Sequence, residues 1–156
     1  MDLPFDPDGF LKPYTAVIAD LESFEKTFVG GFPGSATRGG IFNAYLDWLG
    51  AFKASVCQTG FHQWIDGSFV TRKSNPNDLD IVTFVDYAIY QEREKTIAAF
   101  KSLEFRKKTK LDLYFVRVYP ANHARRKSFE FDSAYWLDLF SKSRLKQHKG
   151  FVQINF

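Results

Sequence analysis

Three aspartates stand in or beside segments that otherwise have the composition of buried β-strands. Residues 79–85 are rich in Ile, Val and Phe, and Asp78 and Asp80 stand at the entrance of this segment. Residues 110–119 form a second apolar segment, which contains Asp112. Because side chains alternate between the two faces of a strand, Asp78 and Asp80 point to the same face. Burying a lone carboxylate is costly, so Asp112 must be paired, bind a metal or lie at an open strand end.

The pattern of apolar residues along the rest of the chain predicts helices around these strands. Helical spacing predicts helices over residues 20–28, 38–52, 90–103 and 133–140. Two more strands are predicted over residues 61–65 and 151–156, and a basic turn is predicted at 106–110. Because helices flank strands throughout, the predicted fold class is α/β (α+β), with one mixed sheet flanked by helices.

The length of 156 residues fits a single domain, residues 1–156. We expect residues 1–14 to form an extended N-terminal arm and residues 120–156 a short C-terminal extension. The lone cysteine, Cys57, excludes an internal disulfide and points to a reducing compartment. No apolar run approaches the roughly 20 residues of a membrane span, and the N-terminus lacks the pattern of a secretory signal. We therefore expect a cytoplasmic protein with no membrane partner.

The charge of the chain is modest but unevenly distributed. The net charge of +3 comes from 21 Lys and Arg against 18 Asp and Glu, which is too small a surplus to indicate a nucleic-acid binder. The basic residues cluster late, at 106–110, 125–127 and 144–149. Such clusters usually lie at the solvent-exposed ends of loops or helices, although they would also fit a phosphate-rich partner. Nucleic acid is therefore an open but unfavoured partner.

A Gly–Ser turn precedes the acidic pair. Gly67 and Ser68 follow the predicted strand at 61–65. A turn of this kind lets backbone N–H groups and a hydroxyl approach an anion closely. Arg72 and Lys73 come shortly after it and are candidate contacts for a triphosphate, with simple solvation in a loop as an equal alternative. A triphosphate held at the turn would reach towards the acids with its α-phosphate.

The acids themselves suit magnesium. If the two apolar strands are neighbours, Asp78, Asp80 and Asp112 converge on one patch. Mg²⁺ binds to proteins through one or two carboxylates together with substrate phosphates. A patch of three carboxylates can hold two metal ions for phosphoryl or nucleotidyl transfer. We therefore predict two Mg²⁺ ions, with Mn²⁺ as an alternative.

The combined pattern resembles the polymerase-β-like nucleotidyltransferase superfamily. The shared features are a strand, Gly67-Ser68, about ten residues, the alternating Asp78-Leu79-Asp80-Ile81, and a later strand that contains Asp112. The resemblance covers residues 60–118 and implies a polymerase-β-like nucleotidyltransferase core. The chain is also similar to an uncharacterised bacterial family of short stand-alone nucleotidyltransferase-like proteins, through its Pro-rich arm, residues 64–71 and two short C-terminal motifs.

The resemblance implies a role for each motif residue. Gly67 and Ser68 would bind the β and γ phosphates of an NTP, with ATP favoured. Asp78 and Asp80 would hold both metal ions. Asp112 would complete the second metal site and help to deprotonate the acceptor hydroxyl.

The resemblance also implies a reaction and a partner. The reaction is Mg²⁺-dependent transfer of an NMP from an NTP to a hydroxyl, with release of pyrophosphate. In minimal enzymes of this superfamily that are paired with bacterial toxins, the acceptor is a hydroxyl on the partner protein, which implies a toxin–antitoxin or defence role. The segment after Tyr119 is too short for an added acceptor-holding domain, so a protein partner would supply its own docking surface.

Two other functions remain open. The chain could be a non-catalytic nucleotide- or toxin-binding partner that acts by contact, although its intact motif favours an enzyme. It could also be an RNA-binding module that uses the late basic clusters, which would require stacking aromatic residues on the same face.

Residues near the motif have simpler interpretations. We expect Asp66 to cap the turn at Gly67. Arg144 and Lys149 could contact a nucleotide or a partner, although a charge at a helix end explains Arg144 nearly as well. The histidines and tryptophans are expected in the core, in a strand or in basic loops rather than as metal ligands.

Overall fold

In the computed structural model of the protein, residues 3–156 are described, and they form one five-stranded mixed sheet with helices on both faces. The first two residues of the expected arm at 1–14 lie outside the described residues. The strands are β1 (Ala16–Ile18), β2 (His62–Asp66), β3 (Leu79–Asp86), β4 (Leu111–Val118) and β5 (Phe151–Asn155). They lie in the order β1-β5-β2-β3-β4. The predicted α/β class is confirmed.

Six α-helices are present in the described part of the chain. They are α1 (Leu21–Glu25, continued by a π-helical turn, Lys26–Gly30), α2 (Arg38–Ser55), α3 (Tyr87–Glu92), α4 (Glu94–Phe100), α5 (Leu103–Thr109) and α6 (Arg126–Phe140). Asp20 begins α1 by accepting a hydrogen bond from the Ser23 N–H at 2.7 Å, as expected for an N-cap. Across residues 3–156, the helices do not combine the length and apolar character that spanning a membrane requires.

Several predicted elements differ from the structure. The basic turn at 106–110 is wrong, because most of it is the end of α5, which the Ser102 hydroxyl caps by accepting from the Phe105 N–H at 3.1 Å. The helix predicted over 90–103 is divided at Arg93, where α3 ends and α4 begins. Helix α6 starts seven residues before the predicted 133, and β1 was not predicted.

The two faces of the sheet have different coverings. On one face, Ile81 of β3 and Leu113 of β4 belong to the main core, together with the apolar side of α2. On the other face, Val82 and Val116 pack with Phe140 of α6. Since side chains alternate along a strand, Asp80 shares the α6 face with Val82.

The N-terminal segment packs against the start of β5. Leu11 is fully buried, and the Gly150 N–H donates to its carbonyl at 2.7 Å. A Cβ atom on Gly150 would lie 2.3 Å from the carbonyl oxygen of Pro13, so only glycine permits this close approach. These contacts fix the backbone that leads from Lys149 into β5.

Candidate active site

Three aspartates form a row across the α6 face of the sheet. Asp66 ends β2, and it is paired in register with Asp80 of β3. Asp80 is in turn paired with Asp112 of β4. Neighbouring strands lie about 4.8 Å apart, so these carboxylates are adjacent. We call Asp66, Asp80 and Asp112 the acidic row, and Asp78 lies just before β3, two positions from Asp80.

Asp80, at the centre of the row, has a strongly perturbed acidity. Burial raises its pKa to about 7, and the charges of Asp78, Asp112 and Asp66 act in the same direction. Lys149 opposes this rise. Near neutral pH, Asp80 therefore favours a proton or a cation beside it.

Asp112 is linked to both its neighbours. It is paired in register with Asp80 of β3 and forms an ion pair with Arg106 of α5. Burial raises the pKa of Asp112, Arg106 lowers it, and the charge of Asp78 raises it again. Asp112 therefore lies between Asp80 of the neighbouring strand and the Arg106 guanidinium.

The Gly–Ser turn touches the centre of the row. Gly67 has a φ of 84°, in the region that favours glycine, and a Cβ atom there would lie 2.2 Å from Oδ2 of Asp80. Ser68 follows as the first residue of a short 3₁₀ turn, Ser68–Val70, whose end is fixed by Thr71 donating to the Ser68 carbonyl. The absence of a side chain at Gly67 therefore lets the Asp80 carboxylate lie against the turn.

Asp66 and Lys149 form a buried ion pair in the row. Asp66 is 4% exposed and Lys149 is 6% exposed. Burial raises the pKa of Asp66 to about 6, because removing the carboxylate from water outweighs the attraction of the ammonium group. The expected turn cap at Asp66 is therefore an incomplete description. An Asp-Gly-Ser sequence indicates a turn but not its distant partner, and only the pairing of β5 with β2 brings Lys149 there.

Arg72 and Lys73 lie in the loop that follows the Gly–Ser turn. Arg72 packs over the Phe5 ring at 5.2 Å from its centroid, and Lys73 is exposed. The triphosphate contacts of these two residues stay predictions.

The backbone of this loop is held by Arg38, which sequence reasoning missed. Arg38 is fully buried at the start of α2 and donates to four carbonyl oxygens at 2.6–2.8 Å, those of Phe28, Phe69, Thr71 and Lys73. Burial lowers its pKa to about 10. An arginine at a helix start resembles any surface charge in sequence, so only the fold reveals that it secures the residues after Ser68.

The residues of the site have the chemistry that Mg²⁺ requires. Asp78 and Asp80 supply hard oxygen donors, and the Asp80 carboxylate lies directly against Gly67. Within residues 3–156, no three His, Cys, Asp or Glu side chains are grouped so that they could hold a metal ion. Asp112 is bonded to Arg106, so a metal would compete with that guanidinium, which is 55% exposed and hence weakly held.

Comparison with known proteins identifies one family. A family of unknown function, DUF6932, matches residues 3–155, which is nearly the whole chain. No curated protein and no solved structure matches.

Proposed function

The chain belongs to the DUF6932 family, whose function is unknown, and we propose that it is a nucleotidyltransferase that moves an NMP from an NTP to a hydroxyl group. One observation carries the proposal. The Gly67–Ser68 turn, which suits phosphate, lies directly against Asp80, the central carboxylate of the acidic row. An anion site beside a carboxylate cluster needs a cation between them, which is the arrangement of metal-assisted phosphate chemistry.

Each residue has a definite task in the proposed reaction. The backbone N–H groups at Gly67 and Ser68 and the Ser68 hydroxyl hold the β and γ phosphates. Mg²⁺ held by Asp78 and Asp80 would offset negative charge on the phosphates. Asp112 accepts the proton of the acceptor hydroxyl, whose oxygen forms a bond to the α-phosphorus while the bond to the bridging oxygen breaks and pyrophosphate leaves.

The donor and the acceptor follow from the resemblance of the motif. ATP is the favoured NTP, and a hydroxyl on a partner protein is the favoured acceptor, in a toxin–antitoxin or defence setting in the cytoplasm. A polymerase-β-like core and two metal ions, with Mn²⁺ able to replace Mg²⁺, belong to the same proposal.

A second candidate function is binding without catalysis. Two carboxylates of the acidic row already have cationic partners, Asp112 with Arg106 and Asp66 with Lys149. These ion pairs would suit a protein that binds a nucleotide or a toxin by contact alone.

The identity of the leaving group tests the proposal. The purified protein is incubated with Mg²⁺, each NTP and a cell lysate that supplies acceptors, and the products are separated. We expect pyrophosphate from the wild type, strongly reduced in Asp80→Ala and unchanged in the control Asp47→Ala, an exposed acid on α2. Release of a nucleoside diphosphate would indicate a phosphotransferase, and saturable NTP binding without products would favour the contact function.

A further inference from the structure

A group of three aromatic rings lies beside the acidic row. Tyr114 of β4 is two positions after Asp112, so the two side chains share the α6 face of the sheet. The Tyr114 ring contacts Trp136 of α6, with 4.6 Å between centroids, and Trp136 contacts Tyr135 at 5.2 Å. Tyr114 is 36% exposed and Tyr135 is 55% exposed. We call these three residues the aromatic ledge.

The hydroxyl of Tyr114 lies within electrostatic reach of the acids. Its pKa is raised by burial, then by the charges of Asp112 and Asp80. The ledge and the acidic row are therefore neighbours on the α6 face of the sheet.

Tyr114 and Tyr135 of the aromatic ledge are more exposed than the other aromatic rings that pack between the sheet and α6. On the same face, Phe84 and Phe140 are almost completely buried between the sheet and α6. Trp136 also packs against Phe140, with 5.5 Å between centroids, so it joins the ledge to this core. Tyr114 and Tyr135 are therefore held through Trp136 while part of their surface stays in solvent, which is the form of a stacking surface.

The order of the strands gives the direction in which an NTP would lie. Ser68 follows β2, Asp80 belongs to β3, and Tyr114 belongs to β4. These strands are consecutive neighbours in the sheet, about 4.8 Å apart. An NTP with its terminal phosphates at Ser68 and its α-phosphate at Asp80 therefore directs its nucleoside towards β4 and the ledge.

We infer that the aromatic ledge binds the base of the NTP by stacking on Tyr114. This inference rests on the proposed function, and it adds the place of the base to it. Stacking accepts any base, because every base has a π face, so the ledge contributes affinity rather than strong selection among NTPs. Loss of such a stack weakens binding by about 5- to 100-fold.

The test compares two probes that differ in having a nucleoside. Binding of ATP and of inorganic tripolyphosphate, each with Mg²⁺, is measured by calorimetry for the wild type and for Tyr114→Leu. We expect the substitution to weaken ATP binding by about 5- to 100-fold and to leave tripolyphosphate binding unchanged. Tyr114→Phe, which keeps the ring, should bind ATP like the wild type.

A control removes a ring elsewhere. Tyr87→Leu disrupts a stacked pair with Tyr119 beyond the other end of β3, and it should change neither affinity. Equal ATP binding by the wild type and Tyr114→Leu would overturn the inference. An equal loss of affinity for ATP and for tripolyphosphate would also overturn it. Single-stranded RNA serves as a third probe, and a loss of RNA binding with unchanged ATP binding would overturn it too. If the wild type binds neither probe, the proposed function itself is contradicted, and the inference fails with it.

Discussion

Asp80 has the most strongly raised pKa in the acidic row. Its pKa is about 7 in the folded protein, against about 3.9 in an unfolded chain. Between these values the folded state holds a proton that the unfolded state has released. The free energy of unfolding therefore falls as pH rises from about 4 to about 7, and this loss is complete above pH 7.

Asp80→Asn should remove this loss in the metal-free protein. In EDTA at pH 8, we expect the variant to be more stable than the wild type by on the order of 4 kcal/mol, since the amide needs no proton. At pH 4 the two proteins should have nearly equal stability. Urea denaturation at both pH values measures the difference, and a less stable variant at pH 8 would mean that the carboxylate is held by favourable hydrogen bonds instead.

The buried pair of Asp66 and Lys149 makes a different prediction. Lys149→Met leaves a buried carboxylate without its cation, so we expect a loss of about 3–5 kcal/mol at pH 8. The loss should shrink as pH falls towards 6, because without Lys149 the pKa of Asp66 rises further and the carboxylate takes up a proton. Adding Asp66→Asn to Lys149→Met should recover much of the stability.

A surface pair provides the control for this prediction. Lys142 contacts Asp138 at 2.7 Å, and both side chains are more than a third exposed. Lys142→Met should therefore cost less than about 1 kcal/mol. If Lys149→Met were equally mild, the pair at Asp66 would not be buried in solution.

At the scale of elements, Arg38 joins α2 to the loop after the Gly–Ser turn. Its guanidinium donates to the carbonyl oxygens of every second residue of that loop, which are Phe69, Thr71 and Lys73. Arg38→Met would leave these carbonyls without their partner, so we expect a loss of at least about 3 kcal/mol. Arg38→Lys should lose less stability than Arg38→Met, because the ammonium group keeps a positive charge beside the carbonyls. It should still be less stable than the wild type, because an ammonium group reaches fewer of these acceptors.

Hydrogen exchange separates local from global effects of the Arg38 substitutions. Thr71 N–H donates to the Ser68 carbonyl, and Arg72 N–H donates to Gly9. Both amides should exchange faster in Arg38→Met under conditions where β3 remains protected. Unchanged exchange at these two amides would show that Arg38 does not hold the loop.

The sequence was most informative where apolar and β-branched residues dominate a segment. Strands β3 and β4 follow from such composition, and the alternation of side chains along a strand places Asp80 and Asp112 on one face once the strands are neighbours. Helix α5 was predicted as a turn because its charged residues are typical of turns. The N-cap at Ser102 is the sequence signal that indicates a helix there. The first half of α6 was missed because polar residues interrupt its apolar pattern.

Long-range pairs in the site could not be predicted in the same way. Lys149 and Asp66 are 83 positions apart, and their contact depends on β5 returning beside β2. Arg106 reaches Asp112 only because α5 leads directly into β4. The proposed roles of the motif residues stay predictions, since geometry alone does not establish a reaction.

At the scale of the whole molecule, α6 carries exposed aromatic side chains. Phe131 is 74% exposed and Tyr135 is 55% exposed. We propose that such side chains offer apolar contacts to a partner that would present the acceptor hydroxyl. The proposed reaction therefore depends on both the NTP site and a second molecule.

The position of the transferred phosphate tests nucleotidyl transfer most directly. Parallel reactions with ATP labelled at the α-phosphate or at the γ-phosphate, Mg²⁺ and a cell lysate are compared for label on an acceptor. We predict transfer of the α label only, in the wild type and not in Asp80→Ala. Transfer of the γ label, or full transfer by Asp80→Ala, would contradict nucleotidyl transfer by the acidic row.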